Sequence, residues 1–143
     1  MGVTAGLCLV PANEFAVGSR RPNLPTGATW FDIDKAWFAF EQVFRTMPAP
    51  LDRALAGDIP PEERSIEDTD ATSLSFVSPG AVVAIAAALE DFEPEEMIDL
   101  VADTVRYVQK DRDRDYYAQY WAVLRQAYRA AAAAGAGLGV LYC

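Results

Sequence analysis

Between Thr29 and Met47 the apolar side chains recur at Ile33, Trp37, Phe40, Phe44 and Met47, the alternating three- and four-residue spacing that lines one face of a helix. A stripe of that kind is stable in water only when another layer covers it. Whatever this chain folds into must therefore bury that face. Asp32 or Asp34 can start the helix, because a carboxylate accepts bonds from the first free backbone N–H groups and sits well at the positive end of the helix dipole. The spacing predicts a helix from this aspartate pair to about Thr46, stopped near Met47-Pro48-Ala49-Pro50 because proline disfavours helical geometry in the residue before it. One aspartate is then a cap. The other, with Lys35 beside it and Trp37 one turn on, belongs either to solvent or to a site.

The flanking segments supply what covers that face. Val3 to Val10 is apolar, uncharged and closed by Pro11, and reads as a strand buried on both sides. Pro11 to Thr26 is punctuated by Asn13, Gly18, Pro22, Asn23 and Pro25 and reads as a loop, with a helical turn at Glu14 to Val17 and with Arg20 and Arg21 as solvated charges. Leu51 to Ala56 suggests a short helix ended by Gly57. The acidic, Pro-containing stretch over 58–72 reads as a surface loop.

Ser73 to Val77 reads as a second strand, and Ser78-Pro79 as the start of an almost wholly apolar helix to about Asp91, covered on most sides. Pro94 opens an amphipathic helix to Lys110 with Met97, Val101, Thr104 and Val108 inside. Asp111 to Asp115 is an exposed connection or helix start. The apolar spacing then resumes at Tyr117, Trp121, Leu124, Tyr128 and Ala131 before Gly135, and Leu138 to Cys143 closes the chain as an apolar strand. The expected fold is α/β or α+β: a small sheet holding the first and last strands, packed by about four helices. At 143 residues, enough to bury roughly two-thirds of the unfolded surface, a single domain over 1–143 is expected.

Several chemistries are excluded. The chain has no histidine, so it can contain no Ser-His-Asp or Cys-His nucleophile system, no His-ligated zinc and no imidazole base. A metal would need oxygen ligands, and none is expected; nor is a cofactor. A formal net charge of −9 argues against binding nucleic-acid phosphates, which is driven by cations, and suits a basic protein partner instead. No run approaches the ~20 apolar residues of a membrane span, so a soluble, cytoplasmic protein is expected. Cys8 and Cys143 lack metal-type spacing and are expected to be free thiols in buried strands.

Taken in order, Met1-Gly2 before an apolar strand, the block Phe31-Asp32-Ile33-Asp34-Lys35-Ala36-Trp37, Pro50-Leu51 with Ala54-Leu55 and Gly57, Phe76-Val77-Ser78-Pro79, and Leu124 to Tyr128 followed by Arg129-Ala130-Ala131 carry a resemblance. The chain resembles the YfbM-like family of small uncharacterised bacterial proteins over nearly its whole length. Two stretches depart from that pattern: the segment after the first strand is short and Pro-rich, and the stretch before the last helix is compressed. The resemblance implies a mixed α/β domain whose first and last strands share one sheet. It implies no reaction, and no catalytic residues carry over.

Two functions from different classes fit these observations. One is a protein-binding module, of inhibitor or immunity type, that covers a basic surface, its support being small size, acidity and missing histidine; steering by charge would speed such an encounter. The other is a small-ligand binder or enzyme using Asp32, Asp34 and Lys35 near Trp37, Trp121 and Tyr128 in an aromatic-lined pocket. Against the second stands helical spacing, since residues two apart on a helix point away from each other. The plainer assignment is one cap, one solvated lysine and three core aromatics.

Overall fold

The computed structural model describes residues 3–15, 21–59 and 73–143. Four strands, β1 (Ala5–Val10), β2 (Trp30–Asp34), β3 (Ser73–Val77) and β4 (Gly137–Tyr142), form one sheet in the order β2-β1-β4-β3. All three pairings are antiparallel, with Ala5 opposite Tyr142, Leu7 opposite Val140 and Ser75 also opposite Val140. Four helices accompany it: α1 (Ala36–Phe44), α2 (Pro79–Leu89), α3 (Pro94–Thr104) and α4 (Lys110–Ala134). This is an α+β fold with the first and last strands side by side at the centre of the sheet.

The stretch expected to be one helix from Asp32 is a strand and a helix in series. Residues 30–34 alternate as a strand does, with Trp30 and Asp32 exposed, Phe31 half-buried and Ile33 fully buried. Asp34 then turns the chain at φ +50°, a left-handed conformation that aspartate tolerates. Its N–H donates to Asp32 Oδ1 at 2.7 Å. Neither aspartate caps α1; the cap position is Lys35, which makes no side-chain cap bond. Ile33 therefore reaches the core from the sheet, and Phe40 and Phe44 reach it from the helix.

The strands' helix-side face carries Leu7, Ile33, Val77, Leu138 and Val140, all buried. α4 packs on β1 and β2, α2 packs on β4, and α3 packs against α1 and α4. Tyr117, Trp121, Leu124, Tyr128 and Ala131 of α4 are all buried, as their spacing predicts. Trp121 meets Phe40 and Phe44 with ring centroids 5.6 Å and 6.1 Å away, and its Nε1 donates to the Phe92 carbonyl at 3.4 Å. Across the surface Glu90, just past α2, accepts from Arg125 and Arg129 of α4.

The opposite face has its own smaller core of Cys8, Val10 and Phe76, covered by Phe15, Leu24, Ala28 and Ile59. Gly137 lies on this face. A Cβ there would stand 2.4 Å from the Phe15 ring, so glycine is what lets Phe15 close over β4. Arg21, expected in solvent, is half-buried here. It donates to the Leu74 carbonyl at 2.7 Å and lies 5.4 Å from the Phe76 ring centroid, a cation–π placement. Arg20 lies outside the described residues, as does the expected acidic loop from residue 60 to 72.

Four further expectations are corrected. The helix expected over 94–110 ends at Thr104, because Val105 takes an extended backbone; Thr104 is exposed, Val105 and Val108 are buried between the helices, and Lys110 opens α4. The apolar α2 is covered on one side only: Val82, Ile85 and Leu89 are buried, whereas Val83 is 57% exposed. Ser78 stands at the start of α2 without a side-chain cap bond, since its N–H and hydroxyl both donate to the Asp58 carboxylate. Cys143 lies one residue past β4 and is exposed, while Cys8 is buried as expected; both are free.

Candidate functional site

α1 brings Trp37, Glu41 and Arg45 into one line, because residues four apart stack on the same side of a helix. That line borders the face that buries Phe40, Val43 and Phe44, so it overlooks the margin of the core. Below it, β4 ends in Tyr142 and β3 contributes Ser73 and Ser75, both on the helix side of the sheet. A 3₁₀ turn at Leu51–Arg53 leads into Ala56 and Gly57, which close the remaining wall. Together these residues line a pocket of about 410 Å³, within the size range of small-molecule sites.

The walls are held by hydrogen bonds to backbone. Trp37 Nε1 donates to the Val3 carbonyl at 2.7 Å, and its ring meets Tyr142 edge-on with centroids 4.8 Å apart. Tyr142 donates its hydroxyl to the Leu55 carbonyl at 2.8 Å, and the buried Ser75 hydroxyl donates to the same oxygen at 3.4 Å. Tyr128 donates to the Ala54 carbonyl from the core side. The 3₁₀ turn is thus tied to α4, β3 and β4 at once.

Glu41 is the anomaly in this arrangement. Only 5% of the residue is exposed. Its Oε1 accepts from Arg45 Nε at 3.3 Å, while its Oε2 is buried with no hydrogen-bond partner. A buried carboxylate oxygen without a donor is costly to keep. Burial pushes the Glu41 carboxyl above its ordinary range, with Arg45 opposing the shift through its hydrogen bond and its charge. Tyr142 is raised as well, by burial first and then by the Glu41 charge.

Glu41 is better tolerated protonated in the fold than ionised. Its contribution is present below the ordinary glutamate pKa of about 4.3 and is lost as pH rises through the higher folded value. Relative to the wild type, Glu41→Gln should therefore gain stability between about pH 4 and about pH 7. Urea unfolding of both proteins at the two pH values measures this, and an unchanged difference would mean that Glu41 titrates as an exposed glutamate does.

The residues singled out from sequence are dispersed by the fold. Trp37 lines the pocket. Asp32 is exposed beside a smaller cleft of about 250 Å³ with Trp30, Leu141 and Cys143, across the sheet from the helices. Asp34 accepts from the Tyr116 hydroxyl of α4 at 2.9 Å, and Tyr116 is raised by burial and by that bond. Lys35 is exposed, and Trp121 and Tyr128 are fully buried in the core. Glu41, Arg45, Ser75 and Tyr142 were not found by sequence reasoning. The available signal was the spacing of Trp37, Glu41 and Arg45, a carboxylate and a guanidinium in line with an aromatic on a helix with a buried face.

Chemically the pocket offers an acceptor, a cation at its rim and apolar walls. Among its described lining residues there is no thiol. Cys8 lies on the other side of the sheet, its thiol pushed up to about 11 by burial. Among the described residues no group of three or more Cys, Asp or Glu is placed to hold a metal ion, and no helix is long and apolar enough to cross a membrane.

Sheet order, helix placement and the pocket between them define a small α+β protein whose architecture is similar to a solved protein of unknown function, YfbM from Escherichia coli. The two are 18% identical with a TM-score of 0.62, over 98% of this chain and 99% of that one. The family described as "Domain of unknown function (DUF1877)" matches residues 14–141, and the chain belongs to that family. No curated protein matches it.

Proposed function

We propose that this protein is a small-ligand-binding protein, and that its ligand enters the pocket between α1 and the ends of β3 and β4 and donates a hydrogen bond to the Glu41 carboxylate. The poorly paired carboxylate carries this reading. Glu41 lines a preformed pocket with one oxygen lacking any donor and the other holding only the long bond from Arg45, so a donor brought by a ligand would stabilise it. Binding is favoured over catalysis because the Tyr142 and Ser75 hydroxyls beside Glu41 both donate to the Leu55 carbonyl, which leaves neither poised for proton transfer or nucleophilic attack.

The other reading, an acidic interaction module in the cytoplasm that covers a basic partner, draws on the net charge of −9. The two differ in salt dependence. A partner held by exposed acidic groups is released as salt screens them, whereas a ligand on a buried acceptor is held much as before.

Trp37 gives a direct readout, because its indole N–H is held by Val3 and its ring borders the pocket. Screening small fragments by NMR should find N–H-donating compounds that shift the Trp37 indole resonance, and Glu41→Gln should weaken them by about tenfold, the scale of one hydrogen bond to a charged group. A screen in which no compound shifts Trp37, or in which the hits bind Glu41→Gln equally well, would overturn the proposal.

A further inference from the structure

The pocket offers two opposite charges. Arg45 commits its Nε to Glu41 Oε1, while its two terminal nitrogens have no hydrogen-bond partner among the described residues. The 3.3 Å bond is long for a charge-assisted pair, which usually closes to about 2.7–2.9 Å, so it leaves the guanidinium loosely held. The Arg45 side chain is 67% exposed and stands at the rim, whereas that of Glu41 is 6% exposed and lies inside. A poorly paired carboxylate in the wall and a solvated guanidinium at the rim are thus one helical turn apart, with the Trp37 and Tyr142 rings beside them.

Resting on the pocket reading above, we propose that the ligand is a zwitterion of the amino-acid type. Its ammonium donates to the Glu41 carboxylate, its carboxylate accepts from the Arg45 terminal nitrogens, and its side chain lies against Trp37 and Tyr142. Simpler ligands meet only half of the site. An amine alone meets the Glu41 carboxylate but stands beside the like charge of Arg45. A carboxylate alone reaches Arg45 but brings a negative charge toward the Glu41 carboxylate. A molecule carrying both groups on one carbon matches both charges of a site whose own pair is neutral overall, and planar two-point binding of a carboxylate is what a guanidinium does best.

Matched triples test this: phenylalanine, phenethylamine and 3-phenylpropionate, and leucine, isoamylamine and 4-methylpentanoate, titrated against the intact protein by calorimetry and by the Trp37 indole resonance. In at least one triple the amino acid should bind about tenfold or more tightly than either single-charge analogue. Arg45→Gln should then erase the preference over the amine, and Glu41→Gln the preference over the acid, with both variants folded by circular dichroism. If a single-charge analogue binds as tightly as its amino acid, or if fragments occupy the pocket but none of the six compounds does, the zwitterion assignment is overturned while the pocket stands. If no compound of any kind shifts Trp37, the pocket itself is overturned.

Discussion

Gly57→Ala is expected to destabilise the protein by about 2–4 kcal/mol, at the upper end of what single substitutions do. Two independent costs act at this position. Gly57 has φ +78°, and a residue with a Cβ in that left-handed region costs about 1–2 kcal/mol. The added Cβ would also stand 2.4 Å from the Phe76 carbonyl oxygen and 3.1 Å from its carbon, backbone that cannot step aside as a side chain does. Relieving that clash opens the bridge in which Ile59 and Phe76 exchange two hydrogen bonds of 3.0 Å and 2.9 Å. Gly27→Ala is the internal control, since Gly27 has φ +71° with nothing within 4 Å of its would-be Cβ. The difference between the two variants in urea unfolding isolates the clash. Equal costs at both positions would mean that the wall formed by Gly57 yields freely.

Trp121→Ala should cost about 3–5 kcal/mol, the range for removing a large buried aromatic. Trp121 is fully buried between Phe40 and Phe44, and its removal leaves a void where α1 meets α4 and frees the Phe92 carbonyl. Against the roughly 5–15 kcal/mol available to a folded protein, that is a large fraction, and the urea midpoint should fall accordingly with an unchanged slope. Trp37→Ala is the counterpart. Trp37 is half-buried at the pocket, so its loss should affect ligand binding more than the urea midpoint. A Trp121→Ala midpoint no lower than that of Trp37→Ala would place the centre of the core elsewhere.

The sequence disclosed elements wherever a local rule and the tertiary environment agreed. Pro79 and Pro94 start helices in the structure as their chemistry demands, and the aromatic spacing of α4 maps onto its buried side. β2 was hidden because Ile33 lies four residues before Trp37. A five-residue strand separated from a helix by a single residue places its last buried side chain in helical register with the first turn, and the two periods merge in any window that spans both. The pocket was hidden for a different reason. A glutamate in the middle of a helix ordinarily faces water, and nothing local indicates that Tyr142, 101 positions further along, will lie across from Glu41. Trp121 and Tyr128 are core residues on the plainer reading of the sequence and pocket residues on the other, since both need an aromatic at helical spacing; packing confirms the plainer one. Asp34 shows how a polar residue can serve geometry, making the left-handed corner between strand and helix while binding Tyr116.

The place of β4 between β1 and β3 governs the order in which the sheet can be assembled. β1 can find β2 early, through a connection of about twenty residues, but its other edge pairs only with residues 137–142. β3 likewise has Ile59 on one side and waits for β4 on the other. Joining Ala5 to Tyr142 means closing a loop of about 137 residues, the slowest kind of contact to make. Until that seam closes, the edges of β1 and β3 that face β4 stay unpaired and open to intruders.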